Sequence, residues 1–229
     1  LMNRSIKDIK DDLKARSDRV SLKVNDLFGD HVRDIDFSFI NLFTLLFYHT
    51  MRHKPDDPLW SGRDRLIISD LKVIPSVLAL MADTGYISWK DCRELVIKLP
   101  RFFSNPNVSL TDYPAVDFIT NSPYLGMIQS MGYALSGRQS RSEFRVFHVL
   151  TDRRSTNMQD ALLAASKEKL CNLFAIIPFI DLQKRSGIMH FWFSMGWQPE
   201  EARFEELGSI FDGLLRVMSK PQKPSILLG

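Results

Sequence analysis

Residues 144–183, FRVFHVLTDRRSTNMQDALLAASKEKLCNLFAIIPFIDLQ, decide how the chain folds. The run at 144–150 is short, apolar and closed by a polar turn, the pattern of a strand buried on both faces. A helical pattern over 157–170 follows, and a second apolar run opens at Leu173. Strand, helix and strand in that order make a right-handed βαβ crossover, which predicts a parallel sheet. Strands are therefore expected at 144–150, at 173–180 and at the closing PSILLG, with helices on both faces of an α/β sheet. The turn after the first strand reads Thr151-Asp152-Arg153-Arg154. It falls at a strand carboxyl end and a helix N-terminus, the default ligand site of open parallel sheets. A phosphate-binding turn of this kind normally carries glycines, and this one has none.

The 229 residues are enough for one domain with a sizeable core, so a single domain over 1–229 is expected. Apolar residues make up 45% and charged residues 25%, which excludes a disordered or fibrous chain. Lys and Arg number 30 against 27 Asp and Glu, so the net charge of +3 gives no nucleic-acid footprint. Two cysteines, Cys92 and Cys171, make no disulfide framework and point to a reducing, cytoplasmic setting. The start, LMNRSIKDIKDDLKARSDR, lacks the apolar core of a signal peptide, and no apolar run reaches the ~18 residues of a membrane span.

Upstream of the crossover, residues 6–28 place Ile6, Ile9, Leu13, Val20 and Val24 at helical intervals and predict an amphipathic helix. The stretch 38–51, SFINLFTLLFYHTM, is apolar on nearly every face. More apolar surface is present there than a small domain easily covers, so the helix is expected in the core or at a subunit interface. LIIS reads as a short strand or an extended entry to the helix KVIPSVLALMADTG, which Gly85 caps. A helix over 88–98, a long loop PRFFSNPNVSLTDYP and a helix SPYLGMIQSMGYALSG ended by Gly137 complete the pass. His148 lies in an apolar strand and reads as a hydrogen-bonded core residue. The run MHFWFSMGW at 189–197 suits either core packing or a partner surface. No Ser-His-Asp order and no metal-spaced cluster stands out.

The order of LFYHTMRHKPDDPLWSGRDRLIIS, LALMADTGYIS, LGMIQSMGYALSG, FRVFHVLTD and DALLAASKEKLCNLFAII resembles the N-terminal half of transketolases, from about residue 10 to the end. The resemblance implies the thiamine diphosphate-binding fold of that half. There the N-terminal half holds the diphosphate and Mg²⁺ of thiamine diphosphate, and the other half supplies the pyrimidine site and its activating glutamate. A chain of this kind is similar to the separate N-terminal subunit of a split enzyme. In the family the strand matching 144–150 ends in Gly-Asp-Gly, whose Asp ligates the metal. By this resemblance Asp152 keeps that carboxylate, Thr151 and Arg153 replace the glycines, and Arg154 replaces a following acid. The family's second metal ligand, an Asn, falls on Ile180, and the Asp before it on Pro178. A phosphate-side histidine falls on Lys72, the glycine-rich run before the mid-chain helix becomes TNSPYLG, and a Gly-His-Pro-Gly segment becomes GDHVRDIDFS, with His31 nearby. Asp117 matches a glutamate that lies between active sites.

Isoleucine offers a hard cation no oxygen, and side chains at the turn narrow the approach of a diphosphate, so Mg²⁺ and thiamine diphosphate binding is expected to be lost. Lys72, Arg153 and Arg154 form a candidate anion site, since guanidinium groups grip phosphate oxygens bidentately. The commoner reading of such a charge run is that the arginines are solvated and pair with Asp152 or Asp160. Three functions follow: a non-catalytic binding or scaffold subunit; an active split-transketolase subunit that moves two-carbon ketol units with a C-terminal partner, using thiamine diphosphate and Mg²⁺; or an anion or phosphosugar binder. A homodimer, or a heteromer with a C-terminal-half subunit, is expected, with no nucleic acid and no membrane as partner.

Overall fold

A computed structural model of the chain describes residues 4–29, 37–104, 113–151, 156–178, 183–219 and 222–229. Strands β1 (Arg65–Ile68), β2 (Phe118–Ile119), β3 (Val146–Val149), β4 (Leu173–Ile177), β5 (Gln198–Glu201) and β6 (Ser225–Leu228) form one sheet in the order β2-β1-β3-β4-β6-β5. Every neighbouring pair is parallel. Parallel pairing needs a crossover between successive strands, and helices supply each one. These are α3 (Ile74–Asp83) and α4 (Trp89–Ser104) after β1, α5 (Pro123–Gln139) after β2, α6 (Thr156–Lys167) after β3, α7 (Arg185–Ser194) after β4 and α8 (Leu207–Met218) after β5. Two helices precede the sheet, α1 (Ile6–Phe28) and α2 (Ile40–Leu45).

The two-residue period of the strands sorts their side chains into two cores. Leu66, Ile68, Phe147, Val149 and Ile176 face a layer of α1, α2, α3, α4 and α8. Ile67, Val146, Leu150, Ala175 and Ile177 face α5, α6 and α7. A sheet covered on both faces is what the continuous apolar runs of β3 and β4 predict.

Ser5 caps α1 reciprocally with Asp8, each side chain meeting the other's backbone N–H. The apolar stretch after it does not remain one regular helix. α2 passes into a π-helical turn, Leu46–Thr50, closed by a bond from the Met51 N–H to the Leu46 carbonyl at 2.7 Å. Phe43, Leu45 and Leu46 are fully buried, covered by α1, α3 and α8 of the same chain. The all-round apolar character of this segment is thus satisfied within one chain and by itself calls for no second subunit.

Several other boundaries move. Gly85 does sit just past α3 with a positive φ of 91°, but Gly137 lies inside α5 rather than ending it. α4 runs on through the start of the expected long loop, whose residues 105–112 lie outside the described ones. β4 ends at Ile177, and α8, β2 and β5 are additions to the sequence reading.

Ion pairs fasten the sheet where its strands begin. The Arg63 guanidinium donates to both oxygens of Asp117 at 2.8 and 2.9 Å, and the Leu66 N–H reaches the same carboxylate at 2.9 Å. Both side chains are buried, at 8% and 6% exposure. Asp117 therefore ties β2 to the first half of β1, and the residue aligned with an inter-site glutamate is committed to a structural pair. Removing one partner of such a pair strands the other charge. Asp117→Ala is expected to lower the unfolding free energy by about 3–5 kcal/mol, measured by urea denaturation; a loss under about 1 kcal/mol, the level of an exposed pair, would contradict the assignment.

Candidate functional site

α3 leaves β1 toward one face of the sheet and α6 leaves β3 toward the other. Adjacent strands whose helices part in this way open a crevice beyond their carboxyl ends, and the chain's ligand site is expected there. Ser69, Asp70 and Lys72 follow β1 at this edge, Thr151 follows β3, and Thr120 to Ser122 lead from β2 into α5.

The floor of the crevice is a polar pair. Ser69 Oγ and His148 Nε2 lie 2.6 Å apart, and the Ser69 N–H donates to the Val149 carbonyl at 2.7 Å. His148 is fully buried, and burial pushes its pKa down to about 3, so the ring is neutral. Its Nδ1 has no hydrogen-bond partner among the described residues. A serine hydroxyl beside an imidazole is the geometry of nucleophile and base. Here α5 closes it off: a Cβ at Gly126 would stand 1.9 Å from Ser69 Oγ and 2.6 Å from His148 Nε2. With Ser69 only 2% exposed, no substrate reaches the pair, which ties β1 to β3 as a structural bond. His148 is the hydrogen-bonded core residue its sequence context predicts.

Above the pair, Asp70 is 6% exposed and accepts the Lys72 N–H at 3.1 Å, capping the single 3₁₀ turn Leu71–Val73. Lys72, carried by that turn, has an exposed side chain at the rim. The N-terminus of α5 serves its own donors: Ser122 Oγ accepts from Leu125 N–H at 3.3 Å, and the Ser122 N–H goes to Thr120 Oγ1 at 3.1 Å. Pro123, at the first turn, has no N–H to offer. An anion here finds fewer free donors than a glycine-rich entry would present.

Of the residues singled out from sequence, Lys72 and Thr151 stand at the crevice. Asp152, Arg153, Arg154, Ile180 and His31 lie outside the described residues, so whether the basic side chains converge with Lys72 is not part of the described geometry. Asp117 is turned away into its pair with Arg63. The aromatic run is mostly core: Trp192 and Trp197 are buried edge to face with centroids 5.0 Å apart, while Phe193 is 68% exposed. Sequence reasoning missed Ser69 and Gly126, whose only signal is a small residue at each place where α5 meets the sheet.

No protein-family model matches the sequence. The chain is 24% identical over 208 residues to one of the subunits of the apulose-4-phosphate transketolase of Phocaeicola vulgatus, covering 84% of this chain and 72% of that protein. It is 32% identical over 145 residues to the human transketolase-like protein 2, covering 61% of this chain but 22% of that longer protein. The solved transketolase of Campylobacter jejuni superposes with a TM-score of 0.72 at 14% identity, over 94% of this chain and 37% of that one. The fold is the transketolase type of thiamine diphosphate-binding fold.

The buried imidazole carries a pH signature. Its folded pKa of about 3 lies below its ordinary 6.5, so the unfolded chain takes up a proton that the folded one refuses. Stability from the neutral ring is complete above pH 6.5 and drains away as pH falls toward 3, by about 1.4 kcal/mol per pH unit. His148→Gln is expected to make the loss of stability between pH 6.5 and 4.5 shallower by about one proton, read from urea unfolding at each pH. An unchanged slope would show that other groups govern it.

Proposed function

Because the chain is of transketolase type and corresponds to the N-terminal half of that family, we propose that it serves as a non-catalytic subunit, binding a C-terminal-half partner without itself holding Mg²⁺ and thiamine diphosphate. What carries this reading is the sequence after two neighbouring strands: by the resemblance, Thr151 and Arg153 after β3 replace glycines, and Ile180 after β4 replaces an oxygen ligand. Mg²⁺ demands near-octahedral oxygen coordination, and an alkyl group at a ligand position both removes a bond and keeps water from replacing it. The donor set does not fit the metal diphosphate. The self-capped, proline-started entry to α5 supports the same conclusion from the other side of the crevice.

A partner supplying the other half is part of the proposal, supported by the subunit designation of the Phocaeicola vulgatus relative. A homodimer of this chain is its alternative assembly, and the cytoplasm its proposed setting. The competing reading, an active subunit that moves two-carbon ketol units, draws on the same relative, of which this chain spans most of the length.

Calorimetric titration of thiamine diphosphate with Mg²⁺ at micromolar concentrations is expected to give no saturable heat. The triple variant Thr151→Gly, Arg153→Gly, Ile180→Asn is expected to gain a measurable one. A saturable one-to-one heat for the natural chain would favour the active reading.

The basic turn has its own test. Cations gathered at a helix N-terminus are unfavourable unless an anion neutralises them. Sulfate or phosphate is expected to raise the melting temperature more than chloride at matched ionic strength, and Arg153→Ala with Arg154→Ala to remove the difference. An equal response in both proteins would place those side chains in water.

A further inference from the structure

At the opposite end of the sheet from the crevice, beside the amino end of β3, lies a cavity of about 270 Å³. This is just below the range of about 300–1,000 Å³ usual for drug-sized ligands, and so suits a smaller molecule. Its apolar wall is made by Leu45, Phe211, Leu214, Leu215 and Met218, from α2 and α8. The π-helical turn Leu46–Thr50 delivers His49 and Thr50 to its edge, and Met51 and Arg52 follow. π-helical turns are rare in helices and are frequently found at functional sites. Burial lowers the pKa of His49, and its ring lies 4.9 Å from that of Phe211, so it stands as a neutral aromatic wall.

The polar side of the cavity is made of donors. Arg52 and Arg145 line it, and among the described residues no carboxylate does. The buried acid nearby, Asp64, is already saturated: it accepts from the Arg52 N–H at 2.8 Å, the Arg145 N–H at 2.7 Å, and Arg145 Nη2 and Nε at 2.6 and 3.1 Å. A fifth contact, from Arg52 Nη2, is long at 3.4 Å. Two guanidinium groups thus share one buried carboxylate. Glu143, a second acid in reach, is 91% exposed and 3.8 Å from Arg52 Nη1, where water screens it. Two donors remain poorly served: Arg52 Nε is buried with no partner among the described residues, and Arg145 Nη1 meets the Met218 sulfur at 4.0 Å. A buried donor of a charged group left in this condition, as Arg52 Nε is, is costly, and an anion within reach satisfies it.

We propose that this cavity binds a small carboxylate with a compact apolar body, its charge taken by Arg52 together with Arg145 and its body laid between Phe211 and Leu214. The site owes nothing to the crevice at the other end of the strands, and it stands whether or not that crevice holds a cofactor.

Three probes separate the contributions on the intact chain: benzoate and benzyl alcohol, titrated by calorimetry and ligand-observed NMR, and inorganic phosphate, scored by its displacement of bound benzoate. Benzoate is expected to saturate, with benzyl alcohol and phosphate at least about tenfold weaker, the loss that follows when one charge-assisted bond or the apolar contact is missing. Arg52→Met, which keeps the stem and removes the guanidinium, is expected to weaken benzoate about tenfold. Leu215→Trp, at a position 41% exposed on the cavity wall, is expected to abolish binding by filling the space. The two cavity variants act independently, so either one that folds, by circular dichroism, decides the matter. Lack of saturation by benzoate, equal binding of benzyl alcohol or of phosphate, or full binding to Leu215→Trp would overturn the proposal.

Discussion

Asp64 is the hinge on which the arrangement of this sheet turns. Its carboxylate has no exposed surface, yet it joins three segments far apart in the chain. These are the exit of the π-helical turn through the Arg52 N–H, its own position one residue before β1, and the start of β3 through the Arg145 backbone and guanidinium. A carboxylate buried this deeply is tolerable only when its oxygens are filled by donors. Filling them sets β1 beside β3 in the register Arg65 to Val146. At the other end of the same two strands, Ser69 and His148 repeat the tie with a neutral pair. The central strands are thus fastened to each other at both ends by the chain's own side chains.

That double fastening separates the fold from the cofactor chemistry of its relatives. The crevice arises because α3 and α6 leave neighbouring strands toward opposite faces, and that divergence follows from the two-residue period of β1 and β3. No ligand is needed to hold it open. The sheet beneath the crevice is held by Asp64 and by the Ser69–His148 pair, whatever the turns beyond the strands carry. Fold and site chemistry vary separately.

Legibility in the sequence followed the range of the interaction. β3, α6 and β4 could be read from FRVFHVL and its sequel because a buried parallel strand leaves a continuous apolar run and a crossover helix leaves a three-to-four-residue period. β5, Gln198–Glu201, left no such mark: it is an edge strand of polar, half-exposed residues, paired on one side only. β2 has two residues, too few for a period. The π-helical turn is a shift in backbone bonding with no side-chain signature, so 38–51 read as one over-apolar helix, and its burial by α1, α3 and α8 depended on contacts across the whole chain. The site divides in the same way. The crevice position followed from topology alone, whereas Asp64 and Arg145, or Ser69 and His148, are some 80 residues apart and meet only in the folded sheet. Asp117 pairs with Arg63, 54 residues away, a contact that neither local sequence reveals.

What the end of β3 accepts is best seen directly. A crystal of the chain grown or soaked with Mg²⁺ and thiamine diphosphate would show whether a diphosphate orders at the crevice between β1 and β3. The proposed non-catalytic reading predicts β1 and β3 in the same register, Ser69 bonded to His148 under Gly126, and no ordered metal or diphosphate above them. A Mg²⁺ ion held by Asp152 and bridging two phosphate groups would contradict it.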